Sequence, residues 1–82
     1  MILTEIYIPA VDSEYDFMLD ENVPAAQIME EITSVILKKV NETGKGDLGE
    51  FLLYSRDEEK CLDLKKSLHR NGIRDGSRLL FV

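Results

Sequence analysis

Gly72-Ile73-Arg74-Asp75-Gly76-Ser77-Arg78-Leu79-Leu80-Phe81-Val82 is a turn running directly into an apolar strand. Asp75-Gly76 supplies the turn, because glycine reaches positive φ without steric penalty and aspartate bonds to nearby backbone. Leu79 and Phe81 then share one face of a period-2 pattern, and Leu80 and Val82 share the other. Upstream, Asn71-Gly72 closes a short turn in the left-handed manner, and Ile73 is spaced to plug a core between the two turns. A closing strand of this kind is held within a sheet; it does not project a flexible end toward another enzyme.

Working back toward the N-terminus, residues 2 to 8 alternate, with Ile2, Thr4, Ile6 and Ile8 on one face and Leu3, Glu5 and Tyr7 on the other. Pro9 ends this strand because it cannot donate to a ladder. After the polar Asp12-Ser13-Glu14, the residues Tyr15, Phe17 and Leu19 alternate with Asp16, Met18 and Asp20. The two runs predict an antiparallel hairpin with one buried and one wet face. From about Pro24 to Val40, Ile28, Ile32, Val35 and Ile36 recur at helical spacing, widened by Met29 and Val40. Pro24 suits a first turn and Asn22 is a candidate cap. Glu30 and Glu31 precede Lys38 and Lys39, the order the helix dipole favours, and Thr43-Gly44 ends the helix.

The segment Phe51 to Tyr54 predicts a third strand, but all four residues are large and apolar or aromatic, so its buried parity is open. Ser55 to Lys60 is a polar turn, Cys61-Leu62 a very short fourth strand, and Leu64 to Leu68 a brief helical turn. The expected class is therefore α+β, with a mixed sheet of four to five strands packed on one main helix, the β-grasp arrangement, in a single domain spanning residues 1–82.

Composition restricts the function classes. A formal charge of -6 over 82 residues opposes duplex DNA or an anionic membrane surface as a general partner, since phosphates bind clustered Lys and Arg. Of possible partners a protein with a basic patch fits better, although solubility accounts for the acidity more readily than any partner does. No apolar run approaches the roughly 18 residues a membrane span requires, and no signal peptide is visible. A single cysteine, Cys61, forms no internal disulfide and suits a reducing compartment, so cytoplasmic residence is expected.

Several chemical motifs fail on context. Gly44-Lys45-Gly46-Asp47-Leu48-Gly49 has the G-x-G-x-x-G spelling of dinucleotide loops. Such glycines lie between a strand and a helix N-terminus that holds the phosphates, whereas here they follow a helix and lead into an apolar run, so a linker is expected. Cys61 and His69 are the sharpest nucleophile pair available, yet no third group orients them; a partly buried cysteine and a surface histidine explain both. One Cys and one His do not complete a zinc set without carboxylates. Asp57-Glu58-Glu59 lacks the alternating ligands and central glycine of a calcium loop. No catalytic residue, cofactor or metal is predicted.

The string Leu62, Ser67-Leu68-His69-Arg70-Asn71-Gly72-Ile73 and Asp75-Gly76-Ser77-Arg78-Leu79 resembles the closing third of ubiquitin-like domains. The spacing Gly72-Ile73-x-x-Gly76-x-x-Leu79 looks like that of the YukD/EsaB family of small bacterial ubiquitin-like proteins. The resemblance implies a cytosolic accessory component of a type VII (WXG100) secretion system in Gram-positive bacteria. Members of that family lack the C-terminal Gly-Gly tail of conjugated relatives, and Leu80-Phe81-Val82 stands in its place here. Conjugation or sulfur carriage is accordingly not expected. It also implies a recognition surface on the exposed face of the third and final strands, here Leu80 and Val82 joined by Tyr54 or Leu52, with Arg56, Arg70, Arg74 and Arg78 as a possible basic rim. Non-covalent protein binding is the expected function. An interaction or self-association module unrelated to secretion, with homodimerisation, is the alternative; nucleic acid and membrane insertion are not expected.

Overall fold

A computed structural model describes the backbone of residues 1–43 and 51–82 and the side chains of residues 1–38 and 51–82. The Gly44 to Gly49 string, the Gly44 helix stop and the Val40 side chain lie outside the described residues. Among the described residues, five strands form one sheet in the order β2-β1-β5-β3-β4, comprising β1 (Ile2–Ile8), β2 (Ser13–Leu19), β3 (Leu53–Ser55), β4 (Lys60–Cys61) and β5 (Arg78–Phe81). One helix, α1 (Ala25–Thr43), crosses the sheet between β2 and β3 in sequence. The β1–β5 pairing is parallel and the other three are antiparallel, so the sheet is mixed, as expected. The last strand in sequence is the central one.

The hairpin closes through a short 3-10 turn, Pro9–Val11, after which Asp12 takes a left-handed conformation (φ 46). Its register runs from Ile2 opposite Leu19 to Ile8 opposite Ser13, so β2 begins two residues before the expected Tyr15. Thr4, Ile6 and Ile8 are buried on the inner face. Thr4 is tolerated there because its hydroxyl donates to the Phe17 carbonyl at 3.3 Å.

The helix buries Ala25, Ile28, Ile32 and Ile36 against Ile6, Ile8, Leu19, Leu53, Leu79 and Phe81. These helical positions fall three or four residues apart and so form one stripe, each fully buried isoleucine contributing about 2–3 kcal/mol of transfer free energy. Val35, expected in the stripe, is 37% exposed, and Met29 sits at its edge, half-buried. Phe51 stacks on Phe81 with ring centroids 4.4 Å apart.

The helix start differs from the sequence expectation. Asn22 does not cap it; the Asn22 amide side chain donates to Glu21 and its N–H to Asp20. Instead, the Ala25 N–H donates to the Lys66 carbonyl at 2.8 Å and the Ala26 N–H to the Leu64 carbonyl at 3.0 Å. A loop distant in sequence thus satisfies the first free donors of the helix. Nearby sequence carries no sign of it.

That loop is organised by Asn71, which is buried. Its carbonyl oxygen accepts from the Asp63 N–H at 2.8 Å, and its amide nitrogen donates to the carbonyls of Asp63, Ser67 and Lys66. The helical turn expected at Leu64 to Leu68 forms slightly later, over Ser67 to Gly72. There the Ile73 N–H reaches the Leu68 carbonyl, the Gly72 N–H reaches that of His69, and Gly72 has φ +80. This is the six-to-one and five-to-two bonding that ends helical turns, with the accompanying apolar contact provided by buried Leu68 and Ile73.

At the second turn, the Asp75 carboxylate accepts from the Leu3 N–H at 2.8 Å, and the Gly76 N–H donates to the Leu3 carbonyl at 2.7 Å. Gly76 has φ +86. The turn thereby lengthens the parallel pairing of β1 with β5, and Leu79 and Phe81 enter the core as expected.

Candidate interaction surface

The face of the sheet away from the helix is built by strand parity. Leu53 and Ser55 are buried, so Leu52 and Tyr54 point outward, which resolves the parity left open by the sequence. Ser55 is accepted inside because its hydroxyl receives the Glu58 N–H at 3.1 Å. Tyr54 stands opposite Leu80 across the β3–β5 ladder, and Leu80 stands beside Tyr7 of β1. Leu52 and Val82 exchange backbone hydrogen bonds in both directions, extending the ladder by one pair beyond the strands themselves. Leu52 is 56% and Val82 43% exposed, while Tyr54 and Leu80 are half-buried. The four expected residues therefore lie together as two adjacent cross-strand pairs.

The remainder of this face differs in character. One row reads Glu14, Tyr7, Leu80, Tyr54 and Cys61 across the five strands, and the next reads Asp16, Glu5, Arg78 and, just past the end of β3, Arg56. The β3/β5 half is apolar and aromatic at Leu52, Tyr54, Leu80 and Val82 and basic at Arg56 and Arg78, and the β1/β2 half is acidic, with an exposed Leu3–Met18 pair at its far end. Glu5 has its carboxyl raised above the usual glutamate range, chiefly by a hydrogen bond with Glu14 and then by that group's charge, against the opposing fields of Arg56 and Arg78. Tyr7 donates its hydroxyl to Asp12 at 2.9 Å, which pushes its own pKa up.

Arg78 is held from the opposite side. Asp57 accepts the Arg78 backbone N–H at 2.7 Å and its Nε at 3.0 Å, bonds that keep the Asp57 carboxyl below the usual aspartate range. This bracket ties the β3–β4 turn to the start of β5. All four arginines suggested as a rim are exposed, but Arg78 is also part of the fold's own bonding.

Cys61 is exposed rather than partly buried. His69 lies in the 67–72 turn with its N–H on the Glu21 carbonyl. No hydrogen bond joins the two side chains among the described residues, nor does any group of metal-ligating side chains form there. No described helix is long and apolar enough to cross a membrane. The acidic half of the outer face and the Asn71 node were not singled out by sequence reasoning; the alternation of Glu5, Glu14 and Asp16 with core residues carried the signal for the former.

No curated protein matches the chain in sequence. Among solved structures, the EccD5 ubiquitin-like domain from Mycobacterium xenopi is similar at a TM-score of 0.77 and 22% identity, over 99% of this chain and 91% of that one. The ubiquitin-like domain of the Mycobacterium tuberculosis type VII secretion system protein EccD1 is similar at a TM-score of 0.67 and 24% identity, over 100% and 99%. A chain of the MycP5-free ESX-5 inner membrane complex gives a TM-score of 0.77 and 21% identity over 99% of this chain, which spans 20% of that larger one. At these identities the likeness is one of fold, and the fold is the ubiquitin-like β-grasp. The family model described as "WXG100 protein secretion system (Wss), protein YukD" matches residues 3–80, and the chain therefore belongs to the YukD family of that secretion system.

Proposed function

We propose that this chain is a non-catalytic, cytoplasmic protein-binding module of a type VII (WXG100) secretion system. In this reading residues 1–82 work as one domain that docks a protein partner on its outer sheet face through Leu52, Tyr54, Leu80 and Val82. The observation that supports it is the pairing of Tyr54 with Leu80 across neighbouring strands and of the well-exposed Leu52 with Val82 just past the ends of those strands. A few such contacts, once desolvated, carry most of the energy of an interface. Ladder pairing holds the backbone of Tyr54 and Leu80 in place, which lowers the ordering entropy that docking on them costs. Because a similar domain occurs within an inner membrane secretion complex, the proposed partner is a component of such an assembly.

The test is Leu80→Asp, which introduces a charge at a half-buried outward position without entering the core. Tagged wild-type chain should co-purify secretion-system components from its native cell, and Leu80→Asp should lose them while keeping its thermal midpoint within a few degrees. Equal recovery by both would remove this face from consideration.

A further inference from the structure

The docking reading leaves the chemistry of the partner open, and the charge on the same face narrows it. Sheet strands lie roughly 4.8 Å apart, so Glu14 stands about 10 Å from Leu80 along their shared row, two strands away. Glu5 and Asp16 fill the neighbouring row. Among the described residues, no ammonium or guanidinium forms an ion pair with Glu5, Glu14 or Asp16. Arg78, the nearest cation in register, is already bonded to Asp57. Arg56, opposite Arg78, also faces outward and with it partly offsets Glu5, but Glu14 and Asp16 on β2 lie beyond both, so the face presents apolar anchors on β3 and β5 beside an acidic edge on β1 and β2.

We infer that the segment covering this face is an amphipathic protein segment whose lysine or arginine side chains flank its apolar anchors and meet Glu5, Glu14 and Asp16. An acidic segment laid on Leu80 and Tyr54 would bring like charges together, which costs affinity and slows encounter. A second copy of this chain is a poorer match, since its face brings the same three carboxylates with only Arg56 and the Asp57-bonded Arg78 to set against them; dimer formation in place of peptide binding would overturn the inference. An anionic lipid surface is repelled for the same reason. A basic segment also relieves the crowding of Glu5 by Glu14, whose proximity lifts the Glu5 carboxyl.

The probe is a synthetic 18-residue amphipathic peptide of leucine and lysine, with a twin in which glutamate replaces lysine, titrated into the isotopically labelled chain and followed by amide NMR. The lysine peptide should shift the amides of Leu52, Tyr54, Leu80 and Val82 together with those of Glu5, Glu14 and Asp16, and the glutamate twin should bind at least tenfold more weakly. Neutralising the three acids (Glu5→Gln, Glu14→Gln, Asp16→Asn) should weaken the lysine peptide about tenfold, the sum of three rim contacts. A charge-matched control (Glu30→Gln, Glu31→Gln, Glu59→Gln) should change it by less than about twofold.

Equal loss in both triple variants, shifts confined to the helix, or comparable binding to phosphatidylglycerol vesicles would overturn the inference. If Leu80→Asp abolishes binding while the acidic triple variant binds as before, the docking face stands and the basic partner falls. If neither variant matters, both fall.

Discussion

Replacing Asn71 by alanine should destabilise the protein by about 2 kcal/mol. The side chain is 6% exposed and makes four hydrogen bonds, yet the loss is far from four full bonds. Of the three carbonyls it serves, that of Asp63 keeps the Lys66 N–H, that of Lys66 keeps the Ala25 N–H, and that of Ser67 keeps the backbone N–H of residue 71 itself. Only the Asp63 N–H is left without an acceptor among the described residues. Asp63 is exposed, so water can reach it, and the low end of the penalty for an orphaned donor, about 1 kcal/mol, applies. The two shorter amide bonds add about 1 kcal/mol more at roughly 0.5 each.

Urea denaturation checks the sum, with an unchanged m-value showing that two-state unfolding persists. Amide exchange should also accelerate at Ala25 and Ala26, whose acceptors lie in the loop that Asn71 organises. Asn71→Asp separates the roles: it retains an acceptor for Asp63 but points a carboxylate at three carbonyls. It should be at least as unstable as the alanine variant at neutral pH and recover as the introduced group protonates. A loss below about 0.5 kcal/mol for Asn71→Ala, or wild-type stability for Asn71→Asp at neutral pH, would refute the argument.

Three further outcomes are expected. Phe81→Ala removes a fully buried ring in the central strand, stacked on Phe51, and should cost about 3–5 kcal/mol, a large share of the about 4–12 kcal/mol ordinary for a chain of this length, read as a lowered urea midpoint by circular dichroism. Glu5→Gln should raise the thermal midpoint at neutral pH; because the folded-state pKa of Glu5 is raised, its protonated form favours folding and that benefit is lost as pH climbs through the raised value, so the advantage of glutamine should shrink on acidification. Asp57 has the opposite sign: its folded pKa is depressed, so its contribution is complete above the ordinary aspartate range and disappears as pH falls through the depressed value, and the midpoints of wild type and Asp57→Asn should converge in acid.

The sequence was informative wherever one face of an element is wet. Glu5, Tyr7, Glu14 and Asp16 alternate with buried residues, so the hairpin and its inner face could be read directly, as could the helix stripe at Ile28, Ile32 and Ile36. Phe51 to Tyr54 resisted reading for a physical reason: Leu52 and Tyr54 are as apolar as their buried neighbours because the outer face is apolar at this strand. The ambiguity is itself the mark of the proposed docking surface. Non-local bonding was invisible. Asn22 has the chemistry of a helix cap, but the carbonyls of Leu64 and Lys66 arrive from a loop distant in sequence, fixed by an asparagine whose sequence signal, Asn71-Gly72, announces only a turn. Cys61 and Leu62 were misassigned by one position because a two-residue edge strand carries too little periodicity to set its register.

The central place of β5 has a consequence for how the chain is made. During vectorial synthesis, β1, β2, α1 and β3 all emerge before the strand that joins β1 to β3, so each of those two strands waits with an open backbone edge and an uncovered apolar side. Until Leu79 and Phe81 are available, no strand joins the β1–β2 pair to the β3–β4 pair, and unpaired edges of this kind recruit one another between chains. Truncation just before Arg78 should therefore produce an aggregating polypeptide; it should not yield a slightly weakened version of the same fold.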